Sequence, residues 1–348
     1  MAATAQIGIG LVSFAHPHQR PWADAFSERE EARVVAVWDA DADRADREAA
    51  RLGVEAHGNL DDLLARSDVD AVSVCSENAH HAAHAVPALA AGKHVLLQKP
   101  MAATVADADR ILAAANASDA IFMQAYNLRF DALHVEVRRL LDGGAIGRVH
   151  TVRRRHSHHF AIDAADREGV LGWMTDPALA GGGALMDEGA HALLWFLWMF
   201  GMPRAVTART AEGTPGMAVE DSAHLLLDLG DGCTGSLQTG WTEVAGGPTI
   251  EIYGDGGTIL ATGPDVATSR KPAPGAPPLQ VYRSATGAWE FPEVELPASR
   301  ATLPPNAFVD CLLAGGPSPV PAAQARDAVA IAAAAYESAR SGRTVPLV

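Results

Sequence analysis

Gln6-Ile7-Gly8-Ile9-Gly10-Leu11-Val12-Ser13-Phe14-Ala15-His16-Pro17-His18, followed by Arg33-Val34-Val35-Ala36-Val37-Trp38-Asp39, decides how this chain folds. Two apolar runs of strand length flank a helical segment carrying Trp22, Ala25 and Phe26. A strand apolar along its whole length is buried on both faces, as in a parallel sheet covered by helices. Pro17 suits the first turn of the connecting helix, where its missing N–H would be unpaired anyway. The interval from Gly10 to Asp39 matches a strand–helix–strand dinucleotide unit, with an acid at the end of the second strand to bond the adenosine ribose. An acid there disfavours a 2′-phosphate, so NAD is expected in preference to NADP.

The turn after the first strand departs from G-x-G-x-x-G. Leu11 and Ser13 stand where the first two glycines would be, or the loop is a shortened turn over 10–13. In both cases a helix N-terminus follows, which attracts a pyrophosphate, with Ser13, Phe14 and His16 as candidate contacts. The opposing reading is a loop that has lost nucleotide binding.

Beyond Asp39 the alternation continues. Helices are expected over 60–65, 79–91 and 105–116, and strands over 70–75, 93–97 and 120–124. Gly92 closes the second of these helices. Strands alternating with helices imply a doubly wound parallel sheet, whose ligands sit at the carboxyl ends of strands. Ser13, Asp39, Ser76, Asn78, Lys99 and Asn127 all fall at such ends.

A chain of 348 residues exceeds what one core usually organises. We read a nucleotide-binding domain over 1–125 and an α+β domain over 126–348, with the helix over 322–340 packing back toward the first. In the second domain, 206–210, 221–229, 234–241, 249–254 and 258–261 read as antiparallel strands separated by turns such as Gly230-Asp231-Gly232. The stretch 263–305 is rich in proline and glycine and is given no more than a strand or two. A formal charge of −15 argues against nucleic acid or an anionic membrane as partner. Cys75, Cys233 and Cys311 form neither a disulfide framework nor a metal motif, which suits a reducing cytosol. No signal-peptide pattern opens the chain, and the most apolar run, 190–202, is too short to span a bilayer. A soluble cytoplasmic protein is expected.

Chemistry concentrates in Gly181-Gly182-Gly183-Ala184-Leu185-Met186-Asp187-Glu188-Gly189-Ala190-His191. On a helix, Asp187 and His191 share a face one turn apart. They form either a helix-surface pair or a carboxylate orienting an acid–base imidazole. A strand over 148–160 carries His156 and His158 on one face by parity. Together with Asp187 and His191 these could hold a divalent metal. We favour the alternative, a polar pocket wall or a solvated face, and expect no metal. His80 and His84 share a helix face, and His81 lies beside them. The segment 168–175 reads as a lid or pocket wall, with Trp173 stacking on a sugar ring or filling the core.

Ala88-Leu89-Ala90-Ala91-Gly92-Lys93-His94-Val95-Leu96-Leu97-Gln98-Lys99-Pro100 resembles the A-G-K-H-V-L-x-E-K-P segment of the glucose-fructose oxidoreductase/inositol dehydrogenase/MocA family. Asn78 to His81 resembles its P-N-x-x-H segment, Tyr126-Asn127-Leu128-Arg129-Phe130 its Y-N-x-R-F segment, and 182–191 its G-G-x-L-x-D-x-G-x-H segment. The close, 336–345, resembles its last helix and exit, so the resemblance spans nearly the whole chain. Gln98 in place of glutamate, Glu77 in place of proline, and the first loop depart from the pattern.

The resemblance implies an N-terminal Rossmann domain and a C-terminal α+β domain on a large open, mainly antiparallel sheet. It further implies a homodimer or homotetramer that covers that sheet. Cofactor contacts then fall on Ser13, Phe14, His16, Asp39, Ser76, Asn78, His81, Gln98, Lys99 and Asn127. The family's catalytic trio maps onto Lys99, Asp187 and His191. Arg129, His156, His158 and Trp173 join that trio in holding the substrate. The implied activity is NAD-dependent oxidation of a secondary hydroxyl on a sugar, cyclitol or sugar acid.

Chemistry agrees with that mapping. His191 can titrate near neutral pH and take the hydroxyl proton, with Asp187 orienting it. Lys99 can stabilise the developing alkoxide, unless it is only a solvated loop lysine. The triple glycine would let the backbone approach nicotinamide and substrate. Two other functions fit the same fold. One is an NAD-assisted glycosidase or isomerase without net redox; the other is a non-catalytic sugar or nucleotide sensor, which would have no need of the trio.

Overall fold

The computed structural model describes residues 6–162, 169, 171–244, 249–262, 275 and 277–347. The chain divides into two compact units: Met1–Asn127 with Ala178–Gly181 and Ser299–Arg326, and Leu128–Pro177 with Gly182–Ala298 and Asp327–Val348. The second unit is therefore not one continuous stretch from 126. The last helix is divided too, its first turn grouping with unit one and the remainder with unit two. Among the described residues no helix is long and apolar enough to cross a membrane.

Unit one runs β1 (Ile7–Val12), α1 (Gln19–Glu28), β2 (Ala32–Trp38), α2 (Ala42–Leu52), β3 (Glu55–His57), α3 (Leu60–Leu64), β4 (Ala71–Val74), α4 (His81–Ala90), β5 (His94–Leu97), α5 (Val105–Asn116) and β6 (Phe122–Gln124). Its six strands are all parallel, in the order β3-β2-β1-β4-β5-β6. This is the doubly wound order, with a switch point beside β1. The expected strands are present because their side chains are apolar on both faces: Ile9, Leu11, Val12, Val72, Val74, Val95, Leu96 and Leu97 are all fully buried. Sequence reading passed over α2 and β3. Asp41 caps α2 by accepting from the Arg44 N–H, and Gly53 ends it with φ 70°.

Unit two begins with α6 (Ala132–Asp142) and β7 (Val149–Ser157), and α7 (Ala184–Phe200) follows. Next come β8 (Ala205–Ala211), β9 (Ser222–Gly230), β10 (Cys233–Gly240), β11 (Ile250–Gly254), β12 (Gly257–Ala261), β13 (Leu279–Arg283) and β14 (Ala288–Glu290). Helix α8 (Leu303–Ala314) belongs to unit one, where it packs on α1 and Asp310 pairs with Arg29 at 2.8 Å. Helix α9 (Ala322–Ser341) and the short β15 (Val345–Pro346) close the chain. Among the described residues, the sheet of unit two orders its nine strands as β14-β13-β12-β11-β7-β10-β9-β8-β15, antiparallel except for the β7–β10 pair.

Helix α7 is apolar on nearly every side and lies buried against β7, β9 and β10. Strand β7 stops at Ser157, short of the expected 160. The His158 N–H already donates to the Gly240 carbonyl (2.9 Å), and the chain turns at Phe160, whose N–H donates to His158 Nδ1 (3.0 Å). Of the proline-rich stretch, 263–274 and 276 lie outside the described residues; the rest supplies β13, β14 and the first turn of α8.

Candidate active site

In unit one, the loops after β1, β2, β4 and β5 carry most of the expected cofactor residues. Ser13 takes φ 64°, a left-handed conformation that glycine usually supplies, and residues 10–12 belong to β1, so Ser13 stands in a glycine's place and the alternative of a shortened turn over 10–13 does not hold. The Ser13 N–H donates to the Trp38 carbonyl (2.7 Å) and its Oγ accepts from the Ala15 N–H (3.2 Å). The Phe14 N–H donates to Asp39 Oδ2 (2.6 Å), and the His16 N–H donates to the Cys75 carbonyl (2.9 Å). Backbone donors of this loop thus brace the switch point itself.

Asp39 is the acid expected to meet the ribose, but its side chain is fully enclosed. Arg44 grips it with two bonds, Nε to Oδ2 and Nη2 to Oδ1, both 2.7 Å; the Asp41 N–H adds a bond to Oδ1 at 3.0 Å. With the Phe14 N–H, four donors fill the roughly four acceptor positions a carboxylate offers. The inference from this acid to NAD alone therefore loses its basis. A neutralised Asp39 with a guanidinium beside it gives no chemical ground for excluding a 2′-phosphate.

Histidines line the next loops. His81, fully buried, contacts the Pro100 carbonyl through Nδ1 (2.9 Å) and the Ser76 carbonyl through Nε2 (3.1 Å). It ties two strand-end loops together, so its place is behind the cofactor loops and not among direct contacts. His84 Nδ1 lies 3.0 Å from Ser76 Oγ. Burial pushes both rings down to about 4. Asn78 donates to the Ala180 carbonyl at 2.8 Å.

Gln98 Oε1 accepts the Lys99 N–H (2.9 Å), which fixes the orientation of the amide; its Nε2 then faces His16 Nδ1 (3.0 Å) and His18 Nδ1 (2.7 Å). Lys99 itself is 3% exposed, which overturns the solvated-loop alternative. Asn127 opens a single 3-10 turn after β6.

In unit two, the head of α7 and the end of β7 bring together Asp187, Glu188, His191, His156 and His158. All but His158 are buried. Trp241 Nε1 donates to Asp187 Oδ2 at 2.9 Å, and His158 Nε2 lies 3.5 Å from the same oxygen. Glu188 sits between two imidazoles: His158 Nε2 is 3.4 Å from Oε1 and His156 Nε2 is 3.3 Å from Oε2. His156 and His191 face each other with ring centroids 5.1 Å apart. Sequence reading missed Glu188, Trp241 and Arg154; of these, Glu188 lay inside the quoted motif.

The sets His156–Glu188–His191 and His158–Asp187–Glu188 each bring their ligand atoms within 4.8 Å, close enough to hold a metal. The partners on the far side of the rings point elsewhere. Arg154 Nη2 lies 2.7 Å from His156 Nδ1, and the Phe160 N–H lies 3.0 Å from His158 Nδ1. Guanidinium and peptide N–H can only donate, so both Nδ1 atoms accept and each ring carries its proton on Nε2. Those protons point at the carboxylates, on the nitrogens a metal would need. The arrangement is a hydrogen-bonded acid–imidazole cluster.

Arg129 stacks on the Trp198 ring at 4.4 Å, a placement that engages its guanidinium with the back of α7. Trp173 is partly buried and packs against the cluster of Phe160, Ala161, Met174, Ala184, Val219 and Trp241. Residues 168 and 170 of the expected lid lie outside the described residues.

The triple glycine has a different cause from the one expected. A Cβ at Gly182 would stand 2.1 Å from the Tyr336 hydroxyl, and one at Gly183 1.9 Å from the Glu220 carbonyl oxygen. The chain's own segments fill that space. Glu220 accepts from the Gly183 and Leu185 N–H groups (2.9 and 3.0 Å) and from the Tyr336 hydroxyl (2.7 Å), capping α7 just before Asp187. Burial raises the Glu220 carboxyl.

Residues 4–126 match the model of an oxidoreductase family with an NAD-binding Rossmann fold, and residues 134–260 match the GFO/IDH/MocA C-terminal domain. Inositol 2-dehydrogenase 3 of Saccharopolyspora erythraea is 30% identical over 91% of this chain and 88% of its own. The NADP(+)-dependent scyllo-inositol 2-dehydrogenase IolW of Bacillus subtilis is 25% identical, covering 83% of this chain and 82% of its own. Among solved structures, an aldose-aldose oxidoreductase from Caulobacter crescentus superimposes with a TM-score of 0.82 at 25% identity, covering 98% of this chain and all of its own.

Proposed function

The chain belongs to the glucose-fructose oxidoreductase/inositol dehydrogenase/MocA family of oxidoreductases, and from that premise we propose that it oxidises a secondary hydroxyl of a sugar, cyclitol or sugar acid. The dinucleotide, when bound, supplies the hydride chemistry. Its adenosine end is assigned to the Asp39–Arg44 pair, and NAD and NADP are both chemically acceptable there. His191 takes the hydroxyl proton, Asp187 supports the resulting imidazolium, and Lys99 donates to the same substrate oxygen. His156 and His158 are assigned to the substrate side of the pocket.

The observation that carries this reading is the Trp241–Asp187 bond at 2.9 Å within a buried acid–imidazole cluster. Buried carboxylates are costly unless donors hold them, and an acid fixed this way at the head of a helix is preorganised for proton handling. The test is absorbance of NADH or NADPH from purified protein given NAD+ or NADP+, respectively, and a panel of inositols, aldoses and sugar acids. Lys99→Ala and His191→Ala are expected to lose turnover while still binding dinucleotide. Unchanged turnover in both would overturn the assigned roles.

A homodimer or homotetramer is proposed as well. The sheet face away from α7 presents Leu226 at 63% exposure on a strand whose alternate residues Leu225 and Leu227 are core. A second copy of that face would cover it.

A further inference from the structure

We propose that Glu188 is a positioning residue for His191: its carboxylate, gripped by His156 and His158 as Nε2–H donors, stabilises the imidazolium formed when His191 takes a proton. The inference rests on the function proposed above and adds a second acid to it.

Glu188 is 7% exposed, so an unassisted carboxylate there would take up a proton. Two neutral imidazoles prevent this, one on each oxygen, at 3.3 and 3.4 Å. Each imidazole is locked from behind. Arg154 fixes His156, and is itself held by the Thr249 carbonyl (3.1 Å), the Arg155 carbonyl (3.2 Å) and the Trp195 ring (5.5 Å). The Phe160 N–H fixes His158. Donor chains of this kind favour the ionised acid.

Glu188 and His191 are three residues apart on α7 and so share a face. Their ligand atoms and those of His156 fall within 4.8 Å of one another. The groups facing His191 in unit two follow from the packing of α7. Strand β7 contributes Arg154 and His156, with His158 just beyond its end. The helix itself contributes Asp187 and Glu188. The buried positions of β9 and β10 are Ala223, Leu225, Leu227, Gly230, Gly235, Leu237, Thr239 and Gly240, none of them titratable. Glu220 faces the helix start and is occupied there by two N–H groups and Tyr336. On these elements the acids nearest His191 are Asp187 and Glu188, and a proton arriving on His191 is drawn by both.

The test is a nitrogen-15 NMR titration of the histidine rings in the full-length protein, which needs neither substrate nor cofactor. In the wild type, His156 and His158 are expected to show protonated Nε2 and unprotonated Nδ1; the reverse tautomer would overturn the proposal even if no variant folds. In Glu188→Gln the His191 midpoint is expected to move to lower pH by about one unit, whereas Glu188→Asp, which keeps the charge, stays near wild type. The acidic limb of kcat/KM for the oxidation is expected to follow the titration. An unmoved His191 midpoint in a folded Glu188→Gln protein would refute the role of Glu188 while leaving the oxidoreductase reading intact. Failure of every polyol to turn over would do the reverse.

Discussion

Arg44→Ala is the substitution whose outcome the first unit dictates most directly. In the structure Asp39 accepts four hydrogen bonds, two of them from Arg44 at 2.7 Å, and its side chain has no exposure. The substitution opens one acceptor position on each oxygen, and the N–H groups of Phe14 and Asp41 keep the carboxylate in place. A ribose with a free 2′-hydroxyl can donate into those positions, so NAD+ affinity is expected to change by less than about fivefold. A 2′-phosphate loses its guanidinium and meets an unneutralised acid. Charge-assisted bonds contribute about 1.5–3 kcal/mol each, so NADP+ is expected to bind about a hundredfold more weakly. The assay is a titration of tryptophan fluorescence with each dinucleotide at one fixed ionic strength, because exposed phosphate contacts are screened by salt. If both dinucleotides weaken by the same factor, Arg44 is only a brace for the loop, and the argument from a saturated Asp39 is wrong.

Acid stability tests the histidines behind the cofactor loops. His81 and His84 are held at about 4 in the fold against 6.5 as the ordinary value, so between those limits the unfolded chain binds more protons than the native one. Stability should therefore fall as pH drops from 6.5 toward 4, by up to about 3 kcal/mol per ring; a His81→Gln/His84→Gln protein whose melting temperature shows the same slope would contradict this. Trp241→Phe keeps the ring stacked on His158 but removes the bond to Asp187; kcat should fall by about tenfold with little change in melting temperature, and full activity would remove Trp241 from the site's geometry. Leu226→Asp should lower the molar mass measured by light scattering, and an unchanged mass would place the subunit contact elsewhere.

How much of this was legible in the sequence follows from how local each cause is. The parallel sheet was readable because Ile9 to Val12, Val72 to Val74 and Val95 to Leu97 are buried on both faces, which leaves a continuous apolar run in the sequence. The strands of the second unit were readable from their alternation and their glycine turns. The two glycines before α7 were misassigned because what crowds them, Tyr336 and the Glu220 backbone, lies far along the chain. The same holds for Trp241 on Asp187, and for His156 and His158 on Glu188. Residue identity marked the acids; their partners come from strands that only tertiary packing brings near. Arg44 was the exception, only five residues from Asp39, and was passed over because no element had been assigned to α2.

The departures from the family pattern in the first unit are coupled. A loop without its glycines places Ser13 in the left-handed region and projects His16 and His18 toward the end of β5. His16 Nδ1 already accepts the His18 N–H (3.2 Å), so it faces position 98 as an acceptor and needs a partner that can donate. A glutamate at position 98 could still accept the Lys99 N–H, but once ionised it has nothing to give the accepting Nδ1 of His16. An amide does both: Oε1 receives the Lys99 N–H and Nε2 supplies the two rings. Gln98 and the histidine loop are therefore best read as one change made in two places. It follows that restoring the family's residue with Gln98→Glu should disturb the β1 loop, through its effect on His16 and His18, at least as much as it disturbs Lys99.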